Sequence, residues 1–218
     1  MTPRRAALRE RGRAEVLDRA AHAIARHGYH GMSMRDLAKA TGRGLASFYT
    51  LFRSKEDILF ELQSRAFAEL IEDAETNVNG AKTAVGKLEA FVAAHVKFTV
   101  EQPDVMRVLI QEAAALPPAR RAQVRALKER YFAIGERVVR LVAGRSVPEP
   151  ELVRLTYTLF GMLNWIYGWY EPAQHGSAEE VVATICRVTQ HGIVGGVTGG
   201  LVRVGQKVAV GGNDDERS

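Results

Sequence analysis

The sequence has a single cysteine, Cys186, among 218 residues, and it contains no apolar run long enough to cross a bilayer. One cysteine excludes both a disulfide and a cysteine-rich zinc site within one chain. The N-terminal residues MTPRRAALRERGR are basic but lack the apolar segment of a secretory signal. We therefore expect a cytoplasmic protein without a membrane partner, and we interpret Cys186 as a small buried apolar residue.

Motifs of enzyme chemistry are also missing. We find no glycine-rich phosphate loop of the usual spacing, no Ser/His/Asp or Cys/His arrangement, and no paired histidines of a metal motif. These absences argue against an enzyme, and we expect neither a cofactor nor a metal ion. The alternative that stays open is an all-helical enzyme or lipophilic-ligand carrier with a basic N-terminal arm.

The positive charge is concentrated near the N-terminus. Residues 1–55 contain twelve Lys and Arg against four Asp and Glu, a net charge of +8, whereas the whole chain carries +5. The remaining residues therefore have a net charge of −3. A basic segment on a mildly acidic body indicates a module that binds a polyanion, although a merely solvated surface would have the same composition.

Apolar residues recur with helical spacing along most of the chain, so we predict an all-α fold with no strand before residue 196. Glycine, proline and N-capping serine separate the helices. Residues 197–218 are interpreted as a disordered tail, with a short hairpin as the alternative. The predicted helices are 10–27, 33–41, a short one opened by Gly44, 55–80, 82–101, 103–115, 119–143, 149–170 and 177–194.

The stretch TGRGLASFYTLFRSKE, residues 41–56, concentrates turn and capping signals. Two short helices joined by a tight turn at Gly42 and braced by the long first helix make a helix-turn-helix. Phe48 and Phe52 lie one turn apart and should pack onto the first two helices, which leaves the opposite face for a DNA major groove. On this face we place Leu45, Ala46, Ser47 and Thr50 as candidates for base contacts.

Three residues occupy positions suited to phosphate contacts, because helix N-termini present unpaired N–H groups beside them. They are Ser33, Tyr49 and Lys55. Each has an alternative role: Ser33 as an N-cap alone, Tyr49 as a core residue and Lys55 as a solvated surface lysine. Arg4 and Arg5 belong to a basic arm that either enters the neighbouring minor groove or is disordered in solution.

The run from Arg13 to Leu59 resembles the N-terminal DNA-binding domain of TetR-family transcriptional repressors. The matching elements are VLDRAA at 16–21, GY at 28–29, GMS at 31–33, LA at 37–38, FY at 48–49, Phe52 and SKE at 54–56. The resemblance implies a ligand-responsive repressor that binds a palindromic operator in double-stranded DNA as a homodimer. Arg43 departs from the family, which favours a buried valine there, and it points either to solvent or to a phosphate.

The resemblance also implies a division of the chain. Residues 1–53 form the helix-turn-helix domain, 54–196 a larger helical domain for ligand binding and dimerisation, and 197–218 the tail. In the family the last two long helices pair with their copies in a four-helix bundle; here they are 149–170 and 177–194. The first of them is apolar nearly all round, so every face has to be covered, although a central helix of a monomer would look the same.

A pocket for a small-molecule effector is predicted among the central helices, although aromatic residues at helical spacing also fill ordinary cores. The aromatic-rich body argues against an architectural nucleic-acid protein that has no effector. FGMLNWIYGWYEP, residues 160–172, resembles the family branch that senses acyl-CoA thioesters, with Arg107, Arg120 and Arg121 as candidates to hold phosphates. The candidate lining residues are Phe91, His95, Phe98, Met106, Ile110, Tyr131, Phe132, Phe160 and Asn164.

Overall fold

The computed structural model describes residues 3–144 and 146–198, and the regular structure in these ranges is entirely helical. The prediction of an all-α fold is confirmed. No helix in the described ranges is long and apolar enough to span a membrane. The helices are α1 (Pro3–His27), α2 (Met34–Ala40), α3 (Leu45–Leu51), α4 (Lys55–Gly80), α5 (Ala84–Glu101), α6 (Pro103–Gln111), α7 (Pro118–Ala143), α8 (Glu149–Asn164), α9 (Ile166–Trp169), α10 (Pro172–His175) and α11 (Ala178–Thr198).

Four predicted helix boundaries differ from the structure by four residues or more. Helix α6 ends at Gln111 rather than at residue 115, and α11 ends at Thr198 rather than at residue 194, so residues 197 and 198 are helical and not part of the predicted tail. Helix α1 begins at Pro3 rather than at residue 10, so Arg4 and Arg5 belong to a helix and not to an extended or disordered arm. Proline is favoured at the first helical position, and the alanines, arginines and leucine that follow it are good helix formers. The helix predicted at 149–170 is interrupted at Trp165, where α8 ends and the short α9 begins. The tail predicted at 197–218 lies outside the described residues from 199 onward.

Capping serines and left-handed glycines set the turns of the first half of the chain. Ser33 and Ser54 each form a capping box with the aspartate three residues later, and both boxes have side-chain-to-backbone bonds in the two directions. Gly42 has φ +71°, which a residue with a side chain rarely adopts, and it lets the chain reverse between α2 and α3. The short helices therefore have fixed ends.

One continuous apolar core runs from the first helix into the body. The buried stripe of α1 meets Leu37 of α2 and Phe48 of α3, while α4 packs along both α5 and α7. Helix α11 covers α5, and α6 lies against α1. Cys186 on α11 is buried, as predicted, and burial raises the pKa of its thiol to about 11. The 26-residue helix α4 thus connects the helix-turn-helix to the body without a break.

Candidate functional site

Helix α3 exposes nearly all of its surface. Phe48 is its one buried residue, and Phe52, which follows the helix, is buried beside it with ring centroids 5.6 Å apart. Tyr49 is 49% exposed, so the alternative of a core residue is wrong. Apart from Leu45 and Tyr49, the exposed side chains of α3 are small, as close approach to a major groove requires. The four residues predicted to contact bases, Leu45, Ala46, Ser47 and Thr50, are all exposed.

Arg13 holds the C-terminal end of α3 in place. Its Nη1 atom donates to the Leu51 carbonyl at 2.7 Å, and its Nε atom donates to Glu61 Oε1 of α4 at 2.7 Å. The guanidinium also lies 4.4 Å from the centre of the Phe52 ring. One side chain of α1 therefore connects α3 to α4. Sequence reasoning missed Arg13 because its partners lie far along the chain and no spacing motif links them.

Two of the residues predicted to bind phosphates, Ser33 and Lys55, have other contacts in this structure. Ser33 caps α2: its Oγ atom accepts from the Asp36 N–H at 3.3 Å. Lys55 Nζ donates to the carbonyls of Tyr29 and Met32 at 2.9 and 3.0 Å, so it is not the solvated surface lysine of the alternative. An ammonium has three donors, so these two bonds leave one, and the ammonium also lies 4.4 Å from the centre of the Tyr29 ring. Arg43 is exposed, as either of its alternatives requires.

Helix α6 is attached to the helix-turn-helix at both of its ends. Near its start, Asp104 Oδ2 lies 2.7 Å from His22 Nδ1 of α1. Just beyond its end, Glu112 accepts from the Tyr29 backbone N–H at 3.0 Å, and the Glu112 carbonyl accepts from Gln63 Nε2 of α4 at 3.1 Å. A shift of α6 along its axis would therefore move the end of α1.

A second link joins α7 to α4. Arg120, in the first turn of α7, forms an ion pair and hydrogen bond with Asp57, and it also stacks over Phe60 with 5.3 Å between its guanidinium carbon and the ring centre. Burial alone would raise the pKa of Asp57, but the Arg120 guanidinium and the N–H groups of Arg53 and Ser54 lower it. The carboxylate that caps α4 is thus also the anchor of α7.

A cavity of about 270 Å³ lies between α4, α5, α6, α7 and α8. Seven of the nine predicted lining residues surround it, and Gly135 of α7 lies behind Phe160. A Cβ atom at Gly135 would lie only 2.7 Å from Phe160, so the missing side chain is what lets that ring approach α7. The residues that line this inner cavity are Phe67, Leu70, His95, Met106, Leu109, Ile110, Lys128, Tyr131, Phe132, Tyr157, Phe160 and Asn164.

Two predicted lining residues do not reach the inner cavity. Phe91 is fully buried and stacks on Tyr131 with centroids 5.4 Å apart, so it supports the wall from behind. Phe98 is also buried in the core without facing the cavity. Five lining residues were missed, namely Phe67, Leu70, Leu109, Lys128 and Tyr157. Their spacing on helices is the same as that of core residues, and nothing in the sequence separates the two roles.

The inner cavity contains a buried polar pair. His95 Nδ1 lies 2.9 Å from the Tyr131 hydroxyl, and both side chains are almost completely buried. Burial lowers the pKa of His95 to about 4, an effect that the nearby Leu163 backbone partly opposes. Burial also raises the pKa of Tyr131. His95 is therefore a neutral imidazole and Tyr131 a protonated phenol at physiological pH.

An outer vestibule of about 480 Å³ adjoins the inner cavity. Successive turns of α7 supply three cations to it, Arg121, Arg125 and Lys128, and Arg125 is paired with Glu129 at 2.9 Å. Of the three arginines predicted to hold phosphates, Arg121 alone lies here. Arg120 is engaged by Asp57, and Arg107 lies 5.5 Å from the centre of the Tyr167 ring, because each faces an inter-helix contact rather than the vestibule.

Helices α8 and α11 present an exposed face away from the cavity. Trp165 is 62% exposed, and Gly161, one turn earlier, has open space around the position of a Cβ atom. Val188 of α11 is 52% exposed. A large exposed indole near a glycine with open space around it is typical of a surface that a second helix covers. These are the two helices predicted to pair with their copies.

Two family models match the chain. Residues 16–62 match the bacterial regulatory proteins of the tetR family. Residues 81–193 match the tetracyclin repressor-like C-terminal domain, and this match alone covers more than half of the chain. Both the helix-turn-helix and the cavity-bearing body therefore belong to the same kind of protein.

Individual relatives agree with these matches. The fatty acid metabolism regulator protein of Bacillus subtilis (strain 168) is 32% identical over 81 residues, which span 37% of this chain and only 42% of that protein. The TetR-family transcriptional regulator PfmR from Thermus thermophilus has a TM-score of 0.72 and 27% identity, over 81% of this chain and 97% of that chain. AibR, solved in complex with isovaleryl coenzyme A and operator DNA, shares the fold with a TM-score of 0.71 and 23% identity, over 80% of this chain and 96% of that one.

These matches decide between the classes of function that the sequence left open. TetR-family proteins are transcriptional regulators and not enzymes, and they bind operator DNA as dimers. The exposed α3, the cavity and the exposed face of α8 and α11 are candidates for the three surfaces that such a regulator needs, for DNA, for the effector and for a second copy. The chain belongs to the TetR family, and it is a ligand-responsive, DNA-binding transcriptional repressor.

Proposed function

We propose that the effector of this repressor is a CoA thioester, with its acyl group in the inner cavity and its phosphates in the outer vestibule. The main observation behind this proposal is that the inner cavity and the outer vestibule are adjacent. They share a wall formed by Phe67, Leu109, Lys128, Phe132 and Tyr157. An apolar chamber beside a cationic entrance complements a ligand that is apolar at one end and carries phosphates at the other. A free acid would leave Arg121 and Lys128 without a phosphate to bind, because Arg125 is already paired with Glu129.

The size of the inner cavity limits the acyl group. Because a cavity of about 150 Å³ holds benzene, the inner cavity of about 270 Å³ accommodates roughly ten heavy atoms. A medium-length chain or a single ring meets this limit. The isovaleryl coenzyme A bound to AibR and the similarity to the fatty acid metabolism regulator protein of Bacillus subtilis support the same ligand class.

On the DNA side we assign base contacts to Leu45, Ala46, Ser47 and Thr50, and phosphate contacts to Tyr49, Arg43 and the remaining donor of Lys55. The domain division is the one expected from the sequence, with helix-turn-helix residues 1–53 and ligand-binding and dimerisation residues 54–196. Two copies of α3 in the dimer would enter successive major grooves of a palindromic operator, about 34 Å apart. Such a repressor acts on the chromosome and therefore in the cytoplasm.

Release from the operator requires that the effector bind better to a form whose two α3 helices no longer match the DNA. The two links to the helix-turn-helix are suited to transmit this difference. Helix α7 contacts the effector phosphates through Arg121 and Lys128 and holds α4 through Arg120. Helix α6 lines the inner cavity and holds the end of α1 through Glu112. We assign the larger part of the coupling to α7, because it touches both ends of the ligand.

Calorimetric titration tests the ligand class. Octanoyl-CoA should bind, whereas octanoic acid and free CoA should bind weakly, since each lacks half of the contacts. Arg121→Ala and Lys128→Ala each remove one vestibule cation. Each should weaken the binding of octanoyl-CoA about tenfold, because a charge-assisted hydrogen bond contributes about 1.5 kcal/mol.

Arg137→Ala is the matched control, because Arg137 is an exposed arginine on the same helix that does not line the vestibule. It should leave octanoyl-CoA affinity unchanged. Tight binding of octanoic acid with no heat from any thioester would refute the proposed effector, and the assignment as a TetR-family repressor would stand.

A further inference from the structure

We infer that the buried part of the effector carries an oxygen atom, a ketone or a comparable acceptor, that receives a hydrogen bond from His95 Nε2. This inference rests on the proposed thioester site and narrows its ligand class from plain acyl groups to oxygenated ones. His95 would be the residue that selects between them.

The first step is the unpaired nitrogen. His95 is 1% exposed and lines the inner cavity, and its Nδ1 atom is engaged by the Tyr131 hydroxyl. Its Nε2 atom is buried and makes no hydrogen bond of normal geometry among the described residues; a weak backbone hydrogen bond with Leu163 raises the pKa of His95 by less than burial lowers it. Buried polar atoms without partners are uncommon in folded proteins, and one at the wall of a ligand cavity indicates a group that the ligand satisfies.

The second step is the position of the proton. A neutral imidazole has one N–H donor and one acceptor nitrogen. Tyr131 remains a protonated phenol, and within the described part of the chain its O–H has no other acceptor than His95 Nδ1. The phenol therefore donates to Nδ1, which places the imidazole proton on Nε2. The group that faces the ligand is a donor, so the complementary ligand atom is an acceptor.

The third step is the rigidity of the ring. His95 stacks on Tyr131 with centroids 5.9 Å apart, and Phe160 meets its edge at 6.5 Å. The imidazole is held on two sides and cannot turn away from a ligand at small cost. A plain alkyl chain would leave the N–H unpaired in an apolar space, whereas a carbonyl oxygen would satisfy it. The cavity therefore discriminates against unsubstituted chains.

The test compares thioesters of one chain length. Wild-type protein is titrated with octanoyl-CoA and with octanoyl-CoAs that carry one ketone at carbon 3, 5 or 7. One of the ketones should bind about tenfold more tightly than octanoyl-CoA, because a buried donor that is left unpaired carries a penalty of that order. His95→Leu should remove this preference while octanoyl-CoA still binds.

Tyr131→Phe provides a variant of nearly the same shape in case His95→Leu does not fold. Without the phenol, the proton is no longer fixed on Nε2, so the preference for the ketone should shrink, and the cavity keeps its volume. Equal binding of octanoyl-CoA and all three ketones by the wild type would overturn the inference and leave the proposed thioester effector intact.

Binding of 2-nonanone, a neutral ketone of ten heavy atoms, tests the role of His95 independently of the proposed CoA effector. If no thioester binds but 2-nonanone does, and His95→Leu abolishes this binding, the role of His95 is supported and the CoA assignment falls. If 2-nonanone binds the wild type and His95→Leu equally, the role of His95 is refuted.

Discussion

Replacement of Arg13 by methionine should destabilise the helix-turn-helix and loosen α3 at its C-terminal end. The substitution keeps an apolar stem of similar length but removes the guanidinium. The hydrogen bond to the Leu51 carbonyl is a charged one and contributes about 1.5 kcal/mol. The ion pair with Glu61, whose side chains are about a quarter exposed, contributes about 1 kcal/mol after solvent screening. The contact with the Phe52 ring adds about 0.5 kcal/mol.

These contacts share one side chain and do not add fully, so we expect the free energy of unfolding to fall by about 2 to 3 kcal/mol. Glu61→Gln is the matched control, since it weakens the ion pair alone and should lower the free energy of unfolding by about 1 kcal/mol or less. Both are measured by urea denaturation at one protein concentration, because the unfolding of a dimer depends on concentration.

Operator binding provides the second measurement. In Arg13→Met the last turn of α3 has to be ordered when DNA binds, which requires about 1 kcal/mol for one backbone residue and weakens the affinity about fivefold. Glu61→Gln should bind the operator nearly as well as the wild type, because Arg13 still holds the Leu51 carbonyl. Arg13→Met with unchanged stability and unchanged operator affinity would refute the role that we assign to Arg13.

Four further outcomes are expected. Arg120→Met should reduce the effect of octanoyl-CoA on operator affinity about fivefold, because the pair with Asp57 contributes about 1 kcal/mol to the link between α7 and α4; an undiminished response in fluorescence anisotropy would contradict this. Ser47→Ala and Thr50→Ala should change the bases that are preferred in a selection from randomised operators, by about 1 to 3 kcal/mol per lost contact. Tyr49→Phe should instead weaken binding to all operator sequences alike. Operator affinity should fall steeply between about 50 and about 200 mM salt as counterions are released, and a flat titration would argue against the phosphate contacts. Trp165→Glu should yield a monomer in analytical ultracentrifugation at micromolar concentration, since it places an unpaired charge in the proposed dimer interface.

Local patterns in the sequence predicted most of the fold. The capping serines, the glycine turns and the 3.6-residue spacing of apolar residues specify where helices begin and end, and each of these signals acts over a few neighbouring residues. The exceptions are informative. The start of α1 was missed because the arginines near Pro3 suggested a basic arm, although most of those residues are good helix formers. The helix break at Trp165 was missed because neither a proline nor a pair of glycines marks it in the sequence.

The candidate site was predictable only in part. His95 and Asn164 were recognisable as polar residues in apolar helices, and α3 could be outlined from its small side chains. The links between the two halves were not predictable, because Arg13 with Glu61 and Arg120 with Asp57 are separated by 48 and 63 residues. Among many charged residues on amphipathic helices, pairing at such distances is decided by packing and leaves no periodic signal.

Gly135 gives the inner cavity an adjustable depth. Its missing Cβ atom is the space into which the Phe160 ring extends, and Phe160 in turn forms part of the cavity wall. An alanine at this position would push the ring into the cavity and shorten the acyl group of the proposed effector, although residue 135 does not itself line the cavity. One methyl group behind the cavity wall could therefore change the acyl chain length that the proposed site selects, in evolution or by design. No residue that faces the effector would have to be replaced.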